Sequence, residues 1–145
     1  MGSISKQKST ESRPKYIPIT AKADSVLQFV GIFLIILIWV SAFSFYFRLP
    51  EIISVHFNLY GEMDRLGSKN HLILIPIIAT FLFVLMTILL KYPESYNYPV
   101  KITAENAQKQ YQRAIRLIRW LNISLGLIFN SVLWMMFVSA QSTSN

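Results

Sequence analysis

Three long apolar runs constrain this chain of 145 residues more than any other feature of its sequence. They cover residues 26–47, 72–90 and 117–140. A hydrocarbon core about 30 Å thick is crossed by about 20 mostly apolar residues in an α-helix, so each run is long enough to span one. No run alternates between polar and apolar side chains, which leaves helices as the way to satisfy the backbone in lipid. The sequence predicts an all-α membrane protein with three transmembrane helices.

Positive charge sets the predicted orientation of these helices. Lysines and arginines number five before the first run, three between the first two runs, six from the second run to the start of the third, and none after that. Because basic residues collect on the cytoplasmic side, this alternation predicts a cytoplasmic N-terminus, an outer segment at residues 48–71 and an outer C-terminus. We therefore attribute the net charge of +7 to topology and to contact with the lipid bilayer, and expect no nucleic-acid partner.

The apolar runs divide the chain into five segments. Residues 1–25 are polar and rich in Ser, Lys and Thr, and we expect them to form a disordered basic cytoplasmic arm. Residues 26–90 form a two-helix membrane domain, whose outer connector is residues 48–71. Residues 91–116 form a cytoplasmic connector with an amphipathic helical extension. The third transmembrane helix follows at residues 117–140, and residues 141–145 are a short outer tail. The chain has no cysteine, which excludes disulfides and thiolate metal sites, and we expect no cofactor.

The outer connector concentrates the side chains that can carry chemistry. It contains both histidines and three of the seven acidic residues. Its β-branched and apolar stretch at residues 52–57 predicts a short strand, residues 58–61 are turn formers, and residues 62–66 predict a returning strand. Ser68 or Asn70 is expected to cap the second helix. The sequence therefore predicts a small hairpin-like cap over one end of the helices.

Two functional hypotheses and one structural interpretation apply to this connector. In the first hypothesis it binds a peptide, a protein or another envelope ligand, and the residues of the ligand site or structural motif are His56, Asn58, Gly61, Glu62, Asp64 and Lys69. In the second it is a membrane-surface metal-dependent hydrolase, although no spacing matches a metalloenzyme motif, and its candidate metal ligands are His56, Glu62, Asp64 and His71. In the structural interpretation, His56 anchors the cap by a hydrogen bond while the acids pair with Arg65 and Lys69.

The polar residues within the apolar runs lie mainly in the third run. Asn122, Gly126 and Asn130 recur every four residues and share one face of the predicted helix. This face is either a groove for a ligand, the contact of a structural subunit with a membrane partner or a second copy, or a packing surface between helices of the chain. Small residues and interhelical amide hydrogen bonds are typical of packing surfaces in membranes.

The connector also contains a specific series of residues: Leu49-Pro50, Val55-His56-Phe57-Asn58, Gly61-Glu62, Asp64-Arg65 and Gly67-Ser68-Lys69. Together with the helices around it, this series resembles a bacterial membrane family, the domain of unknown function numbered 1648. Ser54 and Met63 stand where the family pattern commonly has proline. The same domain opens the SdpI-type immunity proteins. The resemblance implies a protein of the bacterial inner membrane whose outer connector senses or neutralises a peptide. Separately, we expect a binding protein of the immunity or signalling type rather than an enzyme.

Overall fold

The computed structural model describes residues 13–17 and 22–143 of the chain. Its elements are helix α1 (Lys22–Tyr46), strands β1 (Ile52–Phe57) and β2 (Met63–Ser68), helix α2 (His71–Leu89), a 3-10 turn (Pro93–Ser95) and helix α3 (Ala107–Thr143). All three helices are long and apolar enough to cross a membrane, judged by length and composition. The three predicted helices and the predicted hairpin are confirmed.

Helix α3 joins segments that the sequence analysis separates. The amphipathic extension, the third apolar run and part of the predicted tail form one helix of 37 residues. Neither Gly nor Pro interrupts it between residues 107 and 125, so nothing in the sequence ends the helix at residue 117. At 1.5 Å per residue it is about 55 Å long, well beyond the thickness of a hydrocarbon core. Its first turns bury Ala107, Tyr111 and Ile115, which lie on one face.

The three helices pack into a bundle in which each helix contacts the other two. Between α1 and α2, the indole N–H of Trp39 donates to the hydroxyl of Thr80 at 3.0 Å. The core consists of buried apolar side chains from every helix: Ile38, Ala42, Leu72, Ala79, Leu133 and Met136. Small residues such as the two alanines let the helices approach closely. Such residues are common between transmembrane helices, because in lipid the hydrophobic effect does not drive helices together.

The polar face of α3 is turned inward against α1. A Cβ added to Gly126 would lie 3.0 Å from Cβ of Leu34, so the absence of a side chain permits this approach. The amide of Asn130 donates to the Gly126 carbonyl at 2.8 Å within α3 and to the Leu34 carbonyl at 3.3 Å in α1. The buried Asn122 lies on the same face. These contacts use the face for packing between helices of the chain, as one of the alternatives from the sequence predicts.

The hairpin is irregular. Strands β1 and β2 pair antiparallel, and their register shifts between Ser54 and His56 and again between His56 and Phe57. Shifts of this kind are β-bulges, which bend a strand and re-aim its side chains. Before these shifts the register is regular, so the consecutive buried residues Ile53 and Ser54 point to opposite faces and both faces of the hairpin are covered there. The hairpin thereby buries the start of β1 against the bundle and leaves His56 exposed.

Residues 13–17 are ordered against the connector between α2 and α3, although the sequence predicts disorder there. The Arg13 guanidinium donates to the carbonyls of Glu94 at 2.9 Å and Tyr96 at 2.6 Å. The Tyr111 hydroxyl donates to the Pro14 carbonyl at 3.0 Å. Connector carbonyls that no helix or sheet uses thus bind the arm. Residues 22–25, also predicted to be disordered, belong to α1, and residues 1–12 and 18–21 lie outside the described part of the chain.

The arm supports a first prediction. Arg13→Ala should speed tryptic cleavage after the exposed Lys15 by about fivefold, because losing these hydrogen bonds costs about 1 kcal/mol at a partly exposed site. The rate is measured by mass spectrometry of the N-terminal fragment in detergent. Arg13→Lys keeps the charge, so its cleavage rate should lie between those of the original chain and the alanine variant. An unchanged rate in the alanine variant would show that Arg13 does not hold the arm.

Tyr98, which lies beside the arm, should keep its proton and its contribution to stability over a wide pH range. Burial, and then the neighbouring Tyr96, raise the pKa of Tyr98 to about 12 from a usual value of 10.0. The ring of Tyr98 lies 5.9 Å from the Arg13 guanidinium carbon. Because the folded state holds this proton more tightly, the contribution of Tyr98 to stability is complete below pH 10 and is lost as the pH rises toward 12.

Candidate functional site

The exposed surface of the hairpin carries a hydrogen-bonded histidine and aspartate. Nδ1 of His56 lies 2.6 Å from Oδ1 of Asp64, so the imidazole donates to the carboxylate across the two strands. The side chains are 61% and 43% exposed, respectively. Arg65, which pairs with His56 in the strand register, is also exposed. We call His56, Asp64 and Arg65 the polar patch; its groups can donate to and accept from a ligand.

The turn between the strands is organised by Asn58. Its side-chain oxygen accepts from the backbone N–H groups of Tyr60 and Glu62, both at 2.9 Å, and its amide donates to the Glu62 carboxylate at 2.8 Å. The backbone closes the turn as well, because Asn58 donates to the Glu62 carbonyl and Gly61 donates to the Asn58 carbonyl. Gly61 has φ of +79°, a conformation that L side chains rarely adopt. Asn58, Gly61 and Glu62 thus shape the turn.

The base of the hairpin is closed by Lys69. Its ammonium lies 2.9 Å from the Glu51 carboxylate and 4.8 Å from the centre of the Tyr46 ring, and its side chain is only 16% exposed. The expectation that Lys69 pairs with an acid is correct, but its partner is Glu51 rather than an acid of the second strand. The Tyr46 hydroxyl donates to the side chain of Asn70, which makes no capping bond to α2. Lys69 is therefore a connection between the hairpin and the helices.

Helix α3 supports the hairpin from below. The Ser54 and Ser139 hydroxyls lie 2.8 Å apart, and Ser54 is buried. At the other end of the hairpin, a Cβ added to Gly61 would lie 3.9 Å from the terminal methyl of Met135. The hairpin therefore lies along the helix instead of projecting freely from the bundle.

The four candidate metal ligands do not converge. His56 and Asp64 bond to each other, Glu62 bonds to Asn58, and His71 donates to the Ser68 carbonyl at 2.7 Å. Within residues 13–17 and 22–143, no group of three or more His, Asp or Glu side chains is arranged to hold a metal ion. Within the described residues the acids of the hairpin do not pair with Arg65, because Asp64 bonds to His56 and Glu62 bonds to Asn58.

A second polar cluster, which the sequence analysis missed, lies at the opposite end of the bundle. The carboxylate of Asp24 in α1 is 3.2 Å from Nε of Arg116 and 3.1 Å from a terminal nitrogen of Arg119, both in α3. Its side chain is 5% exposed. The available signal was a lone acid in the first turn of an apolar helix, within a chain that has twice as many basic as acidic residues. This cluster ties α1 to α3.

The turn provides a second prediction. Asn58→Ala should speed amide hydrogen exchange at Tyr60 and Glu62 by about tenfold, because each loses an acceptor worth roughly 1 kcal/mol and the turn loosens. Asn58→Asp keeps the acceptor oxygen but places a second carboxylate beside Glu62, so its exchange should be intermediate. Asn97→Ala, in the other connector, is the matched control. Equal exchange in all variants would show that Asn58 does not organise the turn.

Comparison with known proteins places part of the chain in a known family. Residues 32–80, which include the hairpin, match the model of a family described as Domain of unknown function (DUF1648). The predicted resemblance is confirmed for this segment. The chain is also 30% identical over 90 residues to an uncharacterized protein of Archaeoglobus fulgidus, with 57% of this chain and 49% of the relative aligned. The chain thus spans about half the length of the curated relative that it matches. No solved structure matches the chain.

Proposed function

We propose that the chain is a multi-pass protein of a bacterial inner membrane, with its N-terminus in the cytoplasm and its hairpin and C-terminus outside. Its helices carry outward-facing aromatic side chains, with Phe29, Phe33 and Phe81 exposed to 70%, 61% and 66%. Water disfavours an apolar surface of this extent and lipid does not. The distribution of lysine and arginine supports the orientation. The family resemblance supports the bacterial membrane.

The orientation has a direct test because the chain has no native cysteine. A cysteine in place of the exposed Ser68 should react with a membrane-impermeant maleimide in intact cells. A cysteine in place of the exposed Lys101 should react only after the cells are opened. The reverse pattern would overturn the orientation, and reaction of both in intact cells would overturn the assignment of Lys101 to the cytoplasm.

We further propose that the polar patch binds a peptide or protein ligand outside the cell, in an immunity or signalling role. The observation that carries this proposal is the exposed His56–Asp64 hydrogen bond on a hairpin fixed at its turn and base. A rigid support lets polar groups bind without a large ordering cost. The same residues favour binding over metal-dependent hydrolysis, since the acids and histidines of the hairpin form pairwise bonds and not a convergent group of metal ligands.

Photo-crosslinking in living cells tests this proposal. A photoreactive residue in place of the exposed Leu66, next to the patch, should give a discrete adduct with a peptide or protein, and the adduct should diminish when His56→Ala is added. The matched control is the same photoreactive residue in place of Lys101. Membrane abundance of the variants is measured in parallel, so that loss of protein is not taken for loss of binding. The absence of a specific adduct at Leu66 would contradict ligand binding by the patch.

A further inference from the structure

The tip of the hairpin carries two apolar side chains that contact little else in the protein. Leu59 and Tyr60 are 103% and 89% exposed. Met63, just beyond the turn, is 43% exposed. An isolated exposed apolar residue needs no explanation, but adjacent ones at the end of an ordered hairpin form a compact apolar point.

The height of this point along the bundle is given by its contacts with α3. The start of the hairpin meets α3 at Ser139, whereas Gly61 in the turn lies beside Met135. Helix α3 continues to Thr143, so the tip lies about 12 Å before the helix end at 1.5 Å per residue. The hairpin thus descends along the apolar part of α3. Trp134, next to Met135 and 61% exposed, lies at the same level as the tip.

The backbone of the turn suits an apolar environment. The side-chain oxygen of Asn58 accepts hydrogen bonds from the backbone N–H groups of Tyr60 and Glu62. The backbone N–H of Asn58 donates to the Glu62 carbonyl, and the Asn58 carbonyl accepts from the Gly61 N–H. Backbone N–H and carbonyl groups without hydrogen bonds are unfavourable in lipid, and hydrogen bonds within the loop avoid that free-energy cost. The charged end of Glu62 is bonded to the Asn58 amide. The turn therefore presents apolar side chains while several of its polar groups, on Asn58, Tyr60, Gly61 and Glu62, bond within the turn.

We infer that Leu59 and Tyr60 anchor the hairpin in the interfacial region of the outer lipid leaflet. This inference rests on the proposed membrane insertion. Tyrosine and tryptophan are enriched at membrane interfaces, and Tyr60 and Trp134 supply both from the hairpin and from α3. Continuity with the apolar surface of α3 favours lipid as the occupant. The anchor would hold the polar patch beside the membrane, so that a ligand meets it at the lipid surface.

Site-specific fluorescence tests the anchor in the full-length protein. Single-cysteine variants Leu59→Cys, Leu127→Cys and Ser68→Cys are labelled with an environment-sensitive fluorophore and reconstituted into vesicles of phosphatidylcholine and phosphatidylglycerol. Both leucines and the serine are exposed, so labelling should leave the bundle intact. The Leu59 label should be quenched by a nitroxide near the lipid headgroup and shielded from aqueous iodide. The Leu127 label should be quenched by a nitroxide deep in the acyl chain, and the Ser68 label by iodide.

The outcomes separate this inference from the proposal on which it rests. If the labels at Leu59 and Ser68 are equally quenched by iodide while Leu127 reports lipid, the anchor is overturned and membrane insertion stands. If the Leu59 label is shielded from both iodide and nitroxide, protein rather than lipid covers the tip, and the anchor is again overturned. If Leu127 does not report lipid, membrane insertion fails and the anchor fails with it.

Discussion

Replacing Asp24 with alanine should destabilise the bundle by about 3 kcal/mol, the largest effect expected of an ion-pair substitution in this chain. The carboxylate is buried between Arg116 and Arg119, at 3.2 and 3.1 Å. Removing it leaves the guanidinium of Arg119, whose side chain is only 17% exposed, without a compensating charge. Nε of Arg119 already lacks a hydrogen-bond partner within the described residues, so the arginine has little else to bind. Thermal unfolding in detergent, followed by circular dichroism, measures the loss.

Three variants make the Asp24 prediction specific. Asp24→Asn keeps the shape and one acceptor oxygen, and should lose less than the alanine variant. The double variant Asp24→Leu with Arg119→Met removes the carboxylate and the more buried of its two arginines, and should recover much of the stability, because an apolar pair replaces the buried ion pair while Arg116, 48% exposed, stays hydrated. Glu105→Ala removes an exposed acid and should change little. If Asp24→Ala unfolds like Glu105→Ala, the cluster does not stabilise the bundle.

Gly126→Leu should lower stability by about 2 kcal/mol, because the side chain must occupy space that α1 already fills. A Cβ alone would lie 3.0 Å from Cβ and 3.1 Å from Cδ1 of Leu34, and the first of these atoms is fixed to the α1 backbone. Helix propensity works in the other direction, since leucine is a better helix former than glycine by about 0.8 kcal/mol. The steric clash between the helices outweighs this gain in propensity. It should also break the 3.3 Å hydrogen bond from Asn130 to the Leu34 carbonyl.

The matched control for Gly126→Leu is Ser124→Leu. Ser124 lies on the same helix and is exposed, so leucine there adds propensity and apolar surface without a clash. We expect this variant to be as stable as the original chain or more so. Both are measured by thermal unfolding in the same detergent. Equal stability of the two leucine variants would mean that α1 and α3 do not depend on close contact at Gly126.

The local features of the fold could be predicted because they depend on neighbours in sequence. Three apolar runs of sufficient length predict helices regardless of how those helices pack. The strand at Ile52–Phe57 and the turn before Met63 follow from β-branched residues and from turn formers with a glycine. Gly61 has the positive φ for which glycine is the usual residue. Such preferences act over a few residues, so reading the chain segment by segment is sufficient.

The pairing of polar groups could not be predicted in the same way. The regular register of the neighbouring pairs would place Asp64 opposite His56, but two register shifts place Arg65 opposite His56 instead, and the imidazole nevertheless bonds to Asp64. Lys69 pairs with Glu51 because the hairpin returns to its own base, and that return depends on the length of both strands. These pairings were open in the sequence because a shift of one residue in register changes which side chains face one another.

The apolar helices, the hairpin and the asymmetric distribution of positive charge depend on composition or on local conformational preference, so they can be predicted without knowing how the chain packs. The packing of the small polar face of α3 on α1, and the joining of Asp24 to Arg116 and Arg119 across more than ninety residues, become visible in the folded bundle alone. The partner of a polar group is selected by how closely helices and strands approach. That distance is set by the packing of the whole bundle.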